Sequence, residues 1–229
     1  MRKNTRSKRI FHMTILAMLI GIEAIFCFVP ILGSIQIGPV VATLAMLPVV
    51  IVGCIYGPKF GGILGFTAGL FSFIVWTFID NANPSAMMFT PWNSITGDYH
   101  NYWTIVICFV PRILTGVFAG IISKYLNPLL LKLFKVQEDN KVLTTTLEII
   151  CYALACVVGS LTNTFLVLFG TYFLWGKDYC LYAGMDFSLL LGVILTIVGT
   201  NGLFEAAVCG IIGTTVSKSL NVVAKQLTK

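Results

Sequence analysis

The chain has 229 residues, of which 57% are hydrophobic and only 10% are charged, with a formal net charge of +6. Ordinary soluble domains carry about 25% charged residues, so this composition excludes that class of protein. Nearly uncharged stretches of about 20 residues, the length of a membrane-crossing helix, recur along the sequence. The sequence therefore predicts an all-α integral membrane protein, a compact bundle of six transmembrane helices in a single domain over residues 1–229.

The six predicted spans cover approximately residues 10–30, 39–57, 60–79, 103–123, 146–175 and 188–217. The first follows a basic segment, as in a signal peptide, but it is long and lacks a clear cleavage site of small residues. We therefore interpret it as a retained helix. The last two exceed the roughly 20 residues that a crossing needs, which predicts tilted helices or protruding ends. Residues 128–136 predict a short helix on the membrane surface.

The lysines and arginines predict the orientation of these spans. They concentrate in both termini, in the turn after the second span and in the loop between the fourth and fifth spans. The exceptions are Lys177, in an opposite loop, and Arg112, within a span. Because cytoplasmic loops carry an excess of Lys and Arg, both termini are predicted to be cytoplasmic. This basic face suits acidic lipid headgroups or partner subunits, and we expect no nucleic-acid partner.

Arg112 is the single charge in the fourth span, "WTIVICFVPRILTGVFAGIIS". A cation near the centre of a bilayer costs about 2.5–3.5 kcal/mol even on insertion scales, so the residue needs a function or a partner. One interpretation is that Arg112 is the anion receptor of a polar cavity that opens outwards. The other is a structural ion pair with Glu205 or Glu23. The two interpretations overlap, because a structural carboxylate usually holds a cation in a cavity.

The fifth and sixth spans carry further polar side chains. Thr162 and Asn163 are adjacent in the fifth span, and Asn201 and Glu205 lie four residues apart, on one face of the sixth. Amides and carboxylates in a membrane helix must face the bundle interior, a partner or water. We expect these four residues to bind the substrate together with Arg112, although such amides also link helices to one another.

The long external loop, residues 80–102, is predicted to be a lid over this cavity. Its amides supply donors and acceptors, and its aromatic side chains supply rigid apolar walls. An interfacial belt of aromatic residues is the alternative for the tryptophans. The predicted substrate-binding residues in and beside the loop are Trp76, Asn81, Asn83, Trp92, Asn93 and Tyr99.

No feature of the sequence indicates an enzyme. It contains two histidines and lacks metal-ligand spacing, a P-loop and a Gly-x-Ser-x-Gly elbow. The seven cysteines include no Cys-x-x-Cys pair, so neither a metal site nor a disulfide framework is predicted. We interpret them as small apolar packing residues and expect no cofactor. The glycine-rich segment "GPKFGGILG" is predicted to be a turn followed by a tightly packed helix.

Four segments, in order, carry a resemblance to a known family. They are "IYGPKFGGILGFTAGLFSFI", "VPRILTGVFAGIISKYL", "GSLTNTFLVLFG" and "NGLFEAAVCGII". Over residues 10–217 the chain resembles the substrate-binding S components of energy-coupling factor (ECF) vitamin transporters, most closely the branch with pantothenate-specific members.

The resemblance implies a membrane protein of the prokaryotic plasma membrane that binds a vitamin from outside and has no ATPase of its own. It implies two kinds of partner, a membrane scaffold T subunit and two cytoplasmic ATPases that hydrolyse ATP. It also implies that the protein topples in the membrane to carry its site inwards.

A small-residue face on the first span matches the T-subunit contact of the family. Ala17 and Gly21 are four residues apart and Ala24 lies close to the same face, which allows another helix to approach closely. Gly21 stands where the family has a second alanine. Packing within the bundle is the alternative interpretation.

The residues and the resemblance together favour pantothenate as the substrate. A single cation with several amides suits a small monoanion that carries hydroxyl and amide groups. Folate, riboflavin or a related compound would use more aromatic stacking, which the tryptophans leave open. A non-transport membrane assembly or scaffold protein is the competing class of function.

Overall fold

The chain folds into six helices and one β-hairpin, in the part that the structure describes. The structure is a computed structural model, and it describes residues 2–29, 33–37, 40–80, 86, 88–92, 101–134 and 140–227. Side chains are described within these ranges except at residues 2–9, 11, 12, 34–37, 40–43, 182, 183 and 224–227.

The elements before the last helix are α1 (Arg2–Phe28), β1 (Ser34–Ile37), β2 (Val40–Thr43), α2 (Leu47–Tyr56), α3 (Pro58–Ile74), α4 (Trp103–Leu133) and α5 (Lys141–Ala183). A 3₁₀ turn precedes α2, and a π-helical turn, Val75–Ile79, extends α3. Helix α6 has three α-helical segments with a π-helical turn after each of the first two. In order these are Phe187–Ile197, Val198–Gly202, Leu203–Val208, Cys209–Gly213 and Thr214–Leu227.

Helices α3 to α6 are each long and apolar enough to cross a membrane, by length and composition. The apolar parts of the first two helices are shorter, Met13–Phe28 and Leu44–Tyr56. These findings confirm the predicted helical membrane protein. The spans are longer than predicted in the second half, because α4, α5 and α6 each continue past the ends of their apolar stretches.

The β-hairpin between α1 and α2 differs from the sequence prediction. Strands β1 and β2 pair antiparallel, with Ser34 opposite Thr43 and Ile37 opposite Val40. The second span was predicted to begin at residue 39, but residues 40–43 belong to β2. The physical reason is local, since the β-branched residues around Gly38-Pro39 favour strands on either side of a turn. Strand β2 lies beside the Val198–Gly202 turn and the Leu203–Val208 segment of α6.

For the residues that the structure describes, the prediction of a separate surface helix over residues 128–136 was also wrong. Helix α4 continues without a break to Leu133 and contains Pro128. A proline removes one backbone hydrogen bond, but this helix tolerates the loss.

Glycines bring α2 and α3 unusually close to α4. A Cβ atom on Gly61 would collide with the backbone of Gly116, and one on Gly65 would collide with the carbonyl of Arg112. The turn into α3 also needs glycine, because Gly57 has a φ of 84° and precedes Pro58 at the start of the helix. This confirms the predicted turn and tightly packed helix, and it fixes the backbone of α4 at Arg112.

Candidate functional site

Arg112 lies at the same level of the bundle as the polar residues of α5. Helices α4 and α5 pack against each other in an antiparallel arrangement. Gly159 lies against the carbonyl of Thr115, and Gly170 lies against the side chain of Ile107. Arg112 falls between these two contacts on α4. Its level on α5 is therefore that of Asn163 and the residues beside it.

Helix α6 joins the same level through a hydrogen bond. The Thr164 hydroxyl donates to Glu205 Oε2 at 3.1 Å, and Gly202 packs against the Thr164 side chain. This contact places Glu205 at about the same level of the bundle as Asn163 and Arg112, and their joint role in binding a substrate stays a prediction.

The guanidinium of Arg112 is buried, with the residue only 6% exposed. Its Nη1 donates to the backbone carbonyl of Ile107 at 3.0 Å. Its Cζ lies 4.6 Å from the centre of the Phe89 ring, the geometry of a cation–π contact. Its Nε is buried and has no hydrogen-bond partner among the described residues. Among the described residues, Arg112 therefore keeps one buried donor that is not used.

No ion pair within 4.0 Å joins Arg112 to a carboxylate in the described part of the chain. Among the side chains that the structure describes, the ion pair within 4.0 Å joins Lys218 to Glu148, at the far end of α5 and α6. Glu205 instead accepts the hydroxyl of Thr164. The positive charge of Arg112 is thus oriented by a neutral carbonyl and an aromatic ring.

Glu23 of α1 is an acidic residue that interacts electrostatically with Arg112. It is fully buried, and its Oε1 accepts the Cys27 thiol at a sulfur–oxygen distance of 3.4 Å. Its Oε2 has no partner among the described residues. From the sequence, Glu23 is expected only as a pairing candidate for Arg112. Its isolation in an apolar helix was the signal for a role in the site.

The remaining predicted residues of α5 and α6 differ in placement. Asn163 keeps a buried Oδ1 without a partner in the described part of the chain. Thr162 donates within its own helix, to the Val158 carbonyl at 2.7 Å. Asn201 accepts from the exposed Thr200 at 3.4 Å. Asn163 is therefore available for a ligand, whereas the Thr162 hydroxyl is already used.

The described part of the 80–102 loop packs down onto α3 and over Arg112. Trp76 stacks on Phe89 with ring centres 5.7 Å apart, and the Thr77 hydroxyl donates to that of Thr90 at 3.1 Å. Thr90 is only 3% exposed, and Ala86 is fully buried. Phe89, which was not predicted, covers the guanidinium because of these long-range contacts.

For the other predicted loop residues, the structure shows no contact with Arg112 among the residues that it describes. Trp92 is 50% exposed and packs edge-on to Phe73, with ring centres 6.3 Å apart. Asn81, Asn83, Asn93 and Tyr99 lie outside the described residues.

The predicted docking residues lie on the outward face of α1. Ala17 and Gly21 are exposed, and a side chain at Gly21 would meet nothing within 4 Å. The inward face is formed by Ile15, Leu19 and Glu23. Ala24, between the two faces, is half-buried. Ala17 and Gly21 are therefore not used for packing within the described bundle.

The buried guanidinium of Arg112 is a group that could receive an anion. No three His, Cys, Asp or Glu side chains come together to hold a metal ion in the ranges that the structure describes. A carboxylate that reached Arg112 would meet a charged planar donor set with an open Nε–H, in surroundings of low dielectric.

Comparison with known proteins identifies the family. The family model described as "ECF transporter, substrate-specific component" matches residues 11–217. Pantothenic acid transporter PanT of Lactococcus lactis subsp. cremoris (strain MG1363) is 31% identical over 175 residues, which cover 73% of this chain and 78% of the relative. These matches decide against the non-transport scaffold. The chain therefore belongs to the family of ECF transporter substrate-specific components, which are membrane transporter subunits and not enzymes.

Proposed function

We propose that this chain binds pantothenate and carries it into the cell as the substrate-specific subunit of an ECF transporter. The observation that carries the proposal is the guanidinium of Arg112, which is buried with an unused Nε–H and has no ion pair to a described carboxylate. The similarity to a protein named as a pantothenic acid transporter supports the same ligand.

Pantothenate has the groups that this site can satisfy. Its single carboxylate suits the planar fork of Arg112, which binds carboxylates through two parallel hydrogen bonds. Its hydroxyl and amide donors suit two buried acceptors without a partner in the described chain, Asn163 Oδ1 and Glu23 Oε2. Leaving such atoms unpaired costs free energy, so a ligand that satisfies them gains affinity.

The 80–102 loop acts as a lid in this proposal. Phe89 covers the guanidinium, and Trp76 and Thr77 hold the loop on α3. In this proposal, the conformation in which Phe89 lies over the guanidinium is the closed one, and closure excludes water from the charge. The loop must lift to admit the ligand and close again to hold it.

The partners in this proposal are a membrane T subunit and two cytoplasmic ATPases that hydrolyse ATP. Both termini face the cytoplasm, which the distribution of Lys and Arg supports. The T subunit packs against the outward face of α1 at Ala17, Gly21 and Ala24. Docked on the ATP-driven partners, the subunit topples to bring its site inwards.

Thermal denaturation of the purified chain with a panel of ligands tests the proposed substrate. Pantothenate should raise the melting temperature, and panthenol, which has an uncharged alcohol in place of the carboxylate, should raise it far less. Folate and riboflavin should have no effect. Stabilisation by one of those two vitamins, without any by pantothenate, would assign the subunit to another substrate.

Enlarging both small residues of the α1 face should abolish assembly and leave ligand binding intact. The double variant Ala17→Leu, Gly21→Leu fills open space on this chain but blocks the close approach of a partner helix. Copurification with the T subunit is the measurement. The matched control is Gly192→Leu with Ala207→Leu, two exposed small residues on α6. An unchanged complex in the α1 variant would exclude this face as the docking site.

Replacing the aromatic ring that covers Arg112 with an aliphatic side chain should speed up ligand release. Phe89→Leu removes a cation–π contact of roughly 0.5–2 kcal/mol, so the dissociation rate should rise by about 2- to 30-fold. Stopped-flow measurement of release gives the rate. Phe78→Leu is the control, because that phenylalanine of the same region is 71% exposed. Equal release rates in the two variants would remove the lid function from Phe89.

A further inference from the structure

Pro111 leaves one backbone carbonyl of α4 without its usual donor. In an α-helix the carbonyl of residue 107 accepts the N–H of residue 111. Proline has no N–H, and Pro111 lies inside α4. The carbonyl of Ile107 is thus freed in the second turn of α4, at a residue that is only 2% exposed, where water has little access to it.

Arg112 donates a hydrogen bond to this freed carbonyl. Its Nη1 donates to Ile107 O at 3.0 Å, five residues back along its own helix. The residue that follows the proline in sequence therefore satisfies the acceptor that the proline releases. One hydrogen bond meets two requirements, those of a buried carbonyl and of a buried guanidinium.

A carbonyl is a better anchor than a carboxylate for a residue that must bind an anion. A carboxylate would neutralise the guanidinium and occupy its fork. The Ile107 carbonyl fixes the direction of the side chain without cancelling its charge, and the buried Nε–H stays unused among the described residues. The sequence pair Pro111-Arg112 thus encodes both the charge and its orientation.

We propose that Pro111 is a positioning residue for anion recognition: it reserves the Ile107 carbonyl for Arg112 and so holds the guanidinium ready for the ligand carboxylate. The proposal rests on the proposed function of Arg112 as the receptor of the pantothenate carboxylate.

Pro111→Ala tests the proposal because stability and affinity should move in opposite directions. The new N–H competes for the Ile107 carbonyl, so the helix gains a backbone bond and the melting temperature should stay equal or rise. Arg112 loses its exclusive acceptor, so affinity for pantothenate should fall by about tenfold, the effect of one hydrogen bond. Pro128→Ala, at the other internal proline of α4, is the matched control and should leave affinity unchanged.

A second readout needs no ligand. In nitrogen-15 NMR spectra of the ligand-free protein, rotation of the Arg112 guanidinium about its Cζ–N bonds should be slow in the wild type and in Pro128→Ala, and fast in Pro111→Ala. If the wild type fails to bind pantothenate, the proposed function is wrong, while this readout still tests the role of Pro111.

Two results would overturn the proposal. One is a wild-type affinity, or an unchanged Arg112 signal, in Pro111→Ala. The other is a parallel loss of stability and affinity, as expected of a merely structural proline. Pro111→Val, which is closer to proline in volume, guards against a packing defect in the alanine variant. Failure of both variants to fold, with Pro128→Ala folded, would equally assign Pro111 a structural role.

Discussion

Arg112→Gln should lower the affinity for pantothenate by about 10- to 150-fold, since a charge-assisted hydrogen bond contributes roughly 1.5–3 kcal/mol. Glutamine keeps donors at a similar position but removes the charge, so preference should shift towards an uncharged amide analogue of the vitamin. Arg112→Lys keeps the charge and loses the planar fork, so its affinity should fall substantially but less than that of Arg112→Gln. Isothermal titration with pantothenate and the amide analogue measures both effects.

Glu23→Gln separates ligand binding from charge balance in the same site. Arg112→Gln leaves the buried Glu23 without the positive charge that acts on it, so the melting temperature should also fall. Adding Glu23→Gln to Arg112→Gln should restore the melting temperature but not the affinity. Glu205→Gln should restore neither, because Glu205 is bonded to Thr164. Wild-type affinity in Arg112→Gln would show that Arg112 does not bind the vitamin.

Gly61→Ala should be strongly destabilising, although it adds a single methyl group. The new Cβ would collide with the backbone of Gly116, so α3 and α4 would have to separate. Overpacking of this kind costs about 1–3 kcal/mol or more, because neither backbone can move without its whole helix. Binding should weaken as well, since the next contact along α3 is that of Gly65 with the Arg112 carbonyl. Thermal melting in detergent, with and without pantothenate, measures both losses.

The neighbouring glycine provides a matched control. A Cβ on Gly62 would lie 3.1 Å from Cγ2 of Val117, a side-chain atom that can move aside. Gly62→Ala should therefore melt close to the wild type. Similar melting temperatures for Gly61→Ala and Gly62→Ala would contradict the backbone contact between α3 and α4.

The sequence predicts the helical membrane fold and the importance of Arg112 for the same reason. Both follow from the unfavourable free energy of polar groups in lipid, which makes apolar stretches and their single charges stand out. The paired strands Ser34–Ile37 and Val40–Thr43 were missed because most of their β-branched residues are also apolar, and composition alone merges them with the next span. Gly38-Pro39 was the available turn signal.

The partners of Arg112 could not be predicted in the same way. The rotation of each helix about its axis decides which side chains meet, and an isolated span does not encode it. The hydrogen bond from Thr164 to Glu205, for example, depends on how α5 and α6 are rotated towards each other. Phe89 covers the guanidinium only because Trp76 and Thr77 fold the loop back onto α3. In contrast, the Ile107 acceptor follows from the local sequence, since Pro111 cannot supply the backbone donor.

An experimental structure of the chain with bound pantothenate tests the role of Arg112 most directly. We expect a carboxylate oxygen of the vitamin at about 2.7–2.9 Å from a guanidinium nitrogen of Arg112, the length of a charge-assisted hydrogen bond. Nη1 should remain on the Ile107 carbonyl, with the Phe89 ring over the guanidinium. A vitamin carboxylate bound elsewhere, with Arg112 paired to Glu23, would contradict the assignment of Arg112 as the anion receptor.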